Sequence, residues 1–219
     1  MKRSIAALIL MIGFAGPAVA QSLAPGEGEI RAAIADGTRD KGKREGIILR
    51  DSAAGFAAAL GSSGGAQSSK GFWVEAYTPL TWIQQKASTA AKEYHPMTSA
   101  DVTPELLEPV FRVVAHPDMP NTVNAKGMTG TSSVQHVVLR DESRKIVIQP
   151  IFKEPFDEEA SNAMGGKAAF TGLTLKFPLE GLRELRGKDG NGEFFITIIG
   201  ESGAEKNFKV KKKHFDDLK

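Results

Sequence analysis

Apolar residues along this chain follow two different periods, and the change from one to the other is sharp. Phe72, Val74 and Ala76 alternate with Trp73, Glu75 and Tyr77, the two-residue period of a half-buried strand. From Pro79 onward Leu80, Ile83, Ala87, Ala90, Ala91 and Tyr94 recur at helical spacing, which predicts an amphipathic helix from Pro79 to about Tyr94. Pro79 ends the strand because it has no N–H to give a ladder, and it suits the first helical position behind a Thr78 cap. The alanines of the stripe predict a helix that lies close against a sheet.

Further strands are expected at 46–52, 110–116, 168–179 and 194–200, the last closing a hairpin with 206–215 across Glu201-Ser202-Gly203. The clearest hairpin spans 134–152, two apolar runs either side of Asp141-Glu142-Ser143. Stretches rich in Gly, Ser, Pro and Asn at 53–71, 116–132 and 153–167 read as loops, with short helical turns at 104–107 and after Leu179. About eight strands and one convincing helix make the chain mainly β, with α+β as the alternative. The spacing suggests an antiparallel immunoglobulin-like sandwich with one packed amphipathic helix, although the Cys–Trp–Cys hallmark of antibody domains is missing. Residues 46–219 are expected to form a single β-sandwich-type domain, with a sub-boundary near 105. Residues 21–45 precede it as a polar leader with one short helix, Ile30, Ala33 and Ile34 on one side and Gly37 as its stop.

The first residues change the picture of where the protein works. Lys2 and Arg3 form a basic head, Ile5–Phe14 a short apolar run, and Ala18-Val19-Ala20 a small-x-small pattern, so residues 1–20 read as a secretory signal peptide cleaved before Gln21. The run falls short of the ~20 apolar residues a bilayer span needs, so the mature chain is expected to lack a membrane span and to be periplasmic or extracellular. Lys2 and Arg3 leave with the signal, after which 26 basic residues face 26 acidic ones. A nucleic-acid partner, which calls for a broadly basic surface, is therefore not expected. The chain contains no cysteine, which removes disulfides, zinc–thiolate sites and thiol nucleophiles together.

Candidate chemistry is sparse. Trp73 and Tyr77 share a strand face with Glu75 between them. Open to solvent, that face would be a platform on which a sugar or peptide stacks while the carboxylate fixes its orientation. Covered by the following helix, the rings would be packing, which is the favoured reading because such rings are mostly buried. The free N–H groups at that helix's start could also meet an anion, but Thr78 already satisfies part of that demand.

His95-Pro96-Met97 and His116-Pro117-Asp118-Met119 each set an imidazole near a thioether, the ligands left for copper(I) in a cysteine-free exported protein. Pro-rich loops explain the same letters. His136 alternates with Val134 and Val138 and reads as a core or edge histidine, and no His-x-Glu or His-Glu-x-x-His spacing accompanies it. Gly61–Gly65 fits G-x-S-x-G around Ser63 but lacks the strand-before, helix-after context of a nucleophile elbow. Asp189–Glu193 opens like a calcium loop yet has Phe194 and Gly200 where glycine and glutamate are required; weak calcium binding there or at Asp157-Glu158-Glu159 is the most it offers. Lys209, Lys211 and Lys213 alternate near the end of the chain, a guard against edge-to-edge pairing or a surface for an anionic polymer.

These observations lead to an exported binding or structural module for a glycan, a peptide or an envelope protein, with Trp73, Glu75 and Tyr77 as candidate ligand contacts, no cofactor and no recognisable catalytic machinery. The alternatives are a periplasmic copper-binding protein using His95, Met97, His116 and Met119, and a secreted hydrolase whose carboxylates converge only on folding.

Overall fold

Strand alternation decides which side chains meet between the layers of this protein. In a computed structural model, which describes residues 25–41, 46–50, 71–117, 133–161, 167–187, 192–200, 203 and 205–216, the elements run in the following order. Helix α1 (Glu27–Arg39) precedes β1 (Ile47–Arg50), β2 (Trp73–Tyr77) and α2 (Pro79–Lys92); a 3-10 turn at Ser99–Asp101 leads to β3 (Val110–His116). Then come β4 (Val134–Asp141), β5 (Val147–Ile148), β6 (Phe152–Ser161), β7 (Lys167–Pro178), α3 (Leu179–Leu185), β8 (Phe194–Gly200), β9 (Glu205–Val210) and α4 (Lys212–Asp216). The proposed signal segment, Ser63, Met119 and Asp189 to Asn191 lie outside the described residues.

The fold is mainly β, with two antiparallel sheets of order β1-β2-β3-β7-β6 and β5-β4-β8-β9. One core lies between them. Val74, Ala76, Phe111, Val113, Leu175 and Phe177 from the first sheet meet Val137, Leu139, Phe194, Ile196 and Ile198 from the second, all essentially solvent-free. Each of the larger side chains contributes about 1.5–3 kcal/mol by leaving water, and on β2 Val74 and Ala76 turn into this core. β3 is paired on both sides and covered on both faces, so its sequence is apolar almost throughout.

The helical part departs from the sequence expectation in two ways. The alanine stripe of α2 does not lie on a sheet: Ile83 and Ala87 pack with Ala33 and Ile34 of α1 in a second, smaller core. Residues 27–39 are the helix expected after the first polar residues, with Ala33 and Ile34 on its buried side, and it is held also by the Ser88 hydroxyl donating to the Asp40 carbonyl at 2.9 Å. Gly37 is not its stop. It sits inside α1, buried, where a Cβ would overlap the Gln84 carbonyl and stand 3.0 Å from the Ala87 Cβ. Small residues on both helices let their axes come this close.

Two β segments also differ. The stretch expected to be a loop at 153–167 holds most of β6, a ten-residue edge strand paired with β7 alone. An edge strand is exposed and can carry Pro155 and a run of carboxylates, so it shows no buried apolar stripe to read. The hairpin after Asp141 is short: only Leu139 and Arg140 pair with Ile148 and Val147, after which the chain crosses to the other sheet as β6. Of the three alternating lysines only Lys209 belongs to β9; Lys211 follows it and Lys213 lies within the short α4.

Two measurements check this packing. Gly37→Ala should lower stability by ~1–3 kcal/mol in urea unfolding by overfilling the α1–α2 contact, whereas Gly28→Ala, where nothing lies within 4 Å of the added Cβ, should raise it by ~0.5–1 kcal/mol. Asp141 caps the β4–β5 turn by accepting from the Ile146 amide at 2.8 Å and from Ser143, whose hydroxyl holds the carboxyl below its ordinary pKa. A depressed carboxyl stabilises fully above its unfolded pKa of ~3.9 and loses that contribution as pH falls through the lower folded value. Asp141→Asn should therefore flatten the acid limb of a stability–pH curve.

Candidate functional site

The outer face of the five-stranded sheet, the one turned away from the shared core, carries the polar and aromatic residues of β2. Trp73, Glu75 and Tyr77 point there because Val74 and Ala76 point inward. Register then fixes their neighbours: Arg50 of β1 and His116 of β3 flank Trp73, and Arg112 flanks Tyr77.

At the Tyr77 end the helices cover the sheet. Tyr77 is buried with its ring edge-on to Trp82 of α2 at 5.0 Å, and its hydroxyl donates to Glu75 Oε2 at 2.5 Å. Arg112, 3 % exposed, lies 5.7 Å from the Trp82 ring; its Nη2 donates to the Glu105 carbonyl and approaches the Glu108 carboxylate at 3.5 Å. Burial pulls the guanidinium below its ordinary pKa, and Glu108 and Glu105 oppose that shift. Lys176 reaches the same Glu108 at 2.7 Å. This end is a structural joint that ties the 105–108 turn and α2 to the sheet.

The Trp73 end is built differently. Indole and His116 imidazole stack with centroids 3.5 Å apart and planes 8° from parallel, so both rings stand upright on the sheet. The other face of the indole is turned toward β1, where the exposed Arg50 guanidinium lies 5.6 Å from its centroid. Behind His116, the Phe156 ring of β6 comes in edge-on at 5.5 Å. It can do so because β7 offers Gly172 at that point, where any Cβ would overlap the Phe156 ring. Glu158, also on β6, holds the imidazole through Nδ1 at 2.5 Å from its Oε1, which places a proton on Nδ1. A row of side chains thus crosses the sheet through Arg50, Trp73, His116 and Phe156.

The sequence candidates fall unevenly on this geometry. Of the tryptophans and tyrosines in 72–94, Tyr77 is buried, Trp73 and Trp82 are half-buried and Tyr94, past the end of α2, is 89 % exposed. Trp73 is backed by its sheet neighbour His116 and Tyr77 by the helix. His95 is exposed, while Met97 packs into the helical core with Val102, Leu106 and Leu107, the segment that enters the start of β3. His116 closes the opposite end of β3 and is engaged by Glu158 and Trp73, and Met119 lies outside the described residues. Asp157 and Glu158 turn to opposite faces of β6: Asp157 accepts from the Thr171 hydroxyl at 3.2 Å while Glu158 meets His116. Among the described residues no group of three or more His, Asp or Glu could hold a metal ion. His136 is exposed on β4.

Arg50 and Phe156 were not among the sequence candidates, and Glu158 was one only as a weak calcium ligand. For Phe156 and Glu158 the signal is Phe152-x-Glu154-x-Phe156-x-Glu158, a two-residue spacing hidden by the charges of an edge strand. The row offers a ligand an aromatic face, a guanidinium and an oriented imidazole–carboxylate pair, with the Glu75 carboxylate on the same face. Compared with protein-family models, with curated proteins and with solved structures, the chain matches none of them.

The row makes a prediction of its own. Gly172→Ala should cost ~1–3 kcal/mol by displacing Phe156, and in a Phe156→Ala background the same change should cost far less, since the two act on one space. Urea unfolding of the four proteins measures the coupling.

Proposed function

We propose that this chain is a non-catalytic, exported binding module that takes a glycan on the β1-facing side of Trp73. The observation that carries this reading is the upright, half-buried indole, backed on one face by a His116 that Glu158 and Phe156 hold in place. Its other face meets a long, exposed Arg50 side chain on a four-residue edge strand, and Arg50 can move aside and hydrogen-bond to a ligand there. Sugar rings have apolar C–H faces that stack on indole, with hydroxyls that guanidinium and carboxylate groups orient. Tyr77 and Glu75 support the site from behind by bonding each other.

The body that presents the site is, in our reading, an immunoglobulin-like sandwich. With β1 set aside, β2-β3-β7-β6 follows the order ABED and β4-β8-β9 the order CFG, β5 standing beside C. Export rests on the basic, apolar and small-x-small pattern of residues 1–20. Among the described residues no helix is long and apolar enough to cross a membrane.

Trp82→Phe leaves Trp73 as the sole indole, so its emission reports the site alone. Titration with cello-, chito- and malto-oligosaccharides should give a saturable change with at least one of them. Arg50→Ala should weaken that binding at least about tenfold, the lower end of what a charged hydrogen bond worth ~1.5–3 kcal/mol supplies. Emission that no sugar moves would contradict the reading.

A further inference from the structure

A groove of about 460 Å³ runs along the side of the molecule where β1, the edge of one sheet, faces β9, the edge of the other. It is lined by Ile48, Leu49 and Arg50 in succession, and by Lys206, Asn207, Phe208 and Lys209 in succession. Side chains of a strand alternate between faces, so a cleft that touches consecutive residues runs along the strand's main chain. β1 pairs only with β2, and β9 only with β8, so both strands turn toward the groove the edge that has no ladder partner among the described residues. Such an edge is a template for another extended chain.

The charged groups that line it, among the described residues, are basic: Arg50, Lys206, Lys209, Lys211, Lys213 and His214. Lys209 is already committed, with Glu142 at 2.7 Å and Glu193 at 2.5 Å, and these carboxylates raise its pKa. Lys211, which also acts at longer range on Glu193, and Lys213 lie just past the end of β9, and both are exposed to meet a ligand's charge. The chain from Gln21 onward is balanced overall, so this is a local segregation of charge. Lysines along an edge repel a second copy of the same strand, and by the same electrostatics they select an acidic one.

We propose that the β1–β9 groove binds an extended acidic peptide segment, which adds as a strand to the open edge of β9 while its carboxylates meet Lys211 and Lys213. An acidic polysaccharide would satisfy the lysines but leave the strand edges unused, so the exposed main chain favours a peptide. The volume falls within the ~300–1,000 Å³ of ordinary ligand sites. The groove shares Arg50 with the β1-facing side of Trp73, but the contacts proposed for the peptide, the edge of β9 with Lys211 and Lys213, do not include Arg50 and do not depend on a sugar binding there.

The test uses a fluorescein-labelled octapeptide alternating Glu and Thr, and anisotropy on the purified protein at low salt. Saturable binding is expected, weakened at least tenfold by Lys211→Glu with Lys213→Glu and weakened again by 0.5 M salt, where the Debye length falls to ~4 Å. Bound peptide should slow amide hydrogen exchange within 205–210. A peptide of the same charge with N-methylated backbone, which cannot pair with an edge, should lose the binding. The proposal is overturned if the octapeptide does not bind, if the N-methylated peptide binds equally well, or if an alginate oligomer of equal charge binds as tightly. Circular dichroism of the double variant separates lost binding from lost folding, and the N-methylated probe tests the edge without touching the protein.

Discussion

Everything on the outer face of the first sheet follows from the inward pull on Val74 and Ala76. Those two side chains are locked in the core shared by the two sheets, and their burial leaves Trp73, Glu75 and Tyr77 no place but the opposite face. A shift of β2 by one residue would exchange the two sets and place Glu75 between the sheets. The core therefore fixes the site indirectly. It sets the register that brings His116 to Trp73 and Arg112 to Tyr77, and the neighbours do the rest.

The two ends of that face then take different roles because different elements reach them. α2 starts immediately after β2, so its first turn can cover only the near end, where Trp82 meets Tyr77 and Arg112. α1 packs on α2 rather than on the strands, so it extends the helical layer away from the sheet. At the far end coverage comes from within the sheet itself, through rings that stack across adjacent strands. A stacked imidazole held by a carboxylate is a rigid backing, and rigidity of this kind lowers the entropy a ligand must give up on binding.

Much of this was legible in the residues, for identifiable reasons. The β2-to-α2 joint was readable because Thr78-Pro79 marks the change of period with its own chemistry, and β3 because a strand covered on both faces is continuously apolar. β6 was not readable. An edge strand with Pro155 and several carboxylates has a loop's composition, and only pairing with β7 gives it order. The partner of the α2 alanines was equally hidden, since small residues announce a close approach but not what approaches. Gly37 and Gly172 illustrate the same limit: each is explained by a neighbour distant in sequence, Gln84 in one case and Phe156 in the other. For this reason Trp73 and Glu75 could be named from the sequence as ligand contacts, while the Arg50 and Phe156 side chains, and the role of Glu158 against His116, could not.

The cross-strand stack is the claim on which the functional reading stands, and the ring protons of histidine report it directly. His95 and His136 are exposed and serve as internal references for His116 in a proton NMR spectrum. Stacked at 3.5 Å on the indole of Trp73, His116 should show carbon-bound protons shifted upfield of those references, and the shift should vanish in Trp73→Leu. Four imidazoles at ordinary positions, unchanged by that substitution, would contradict the account.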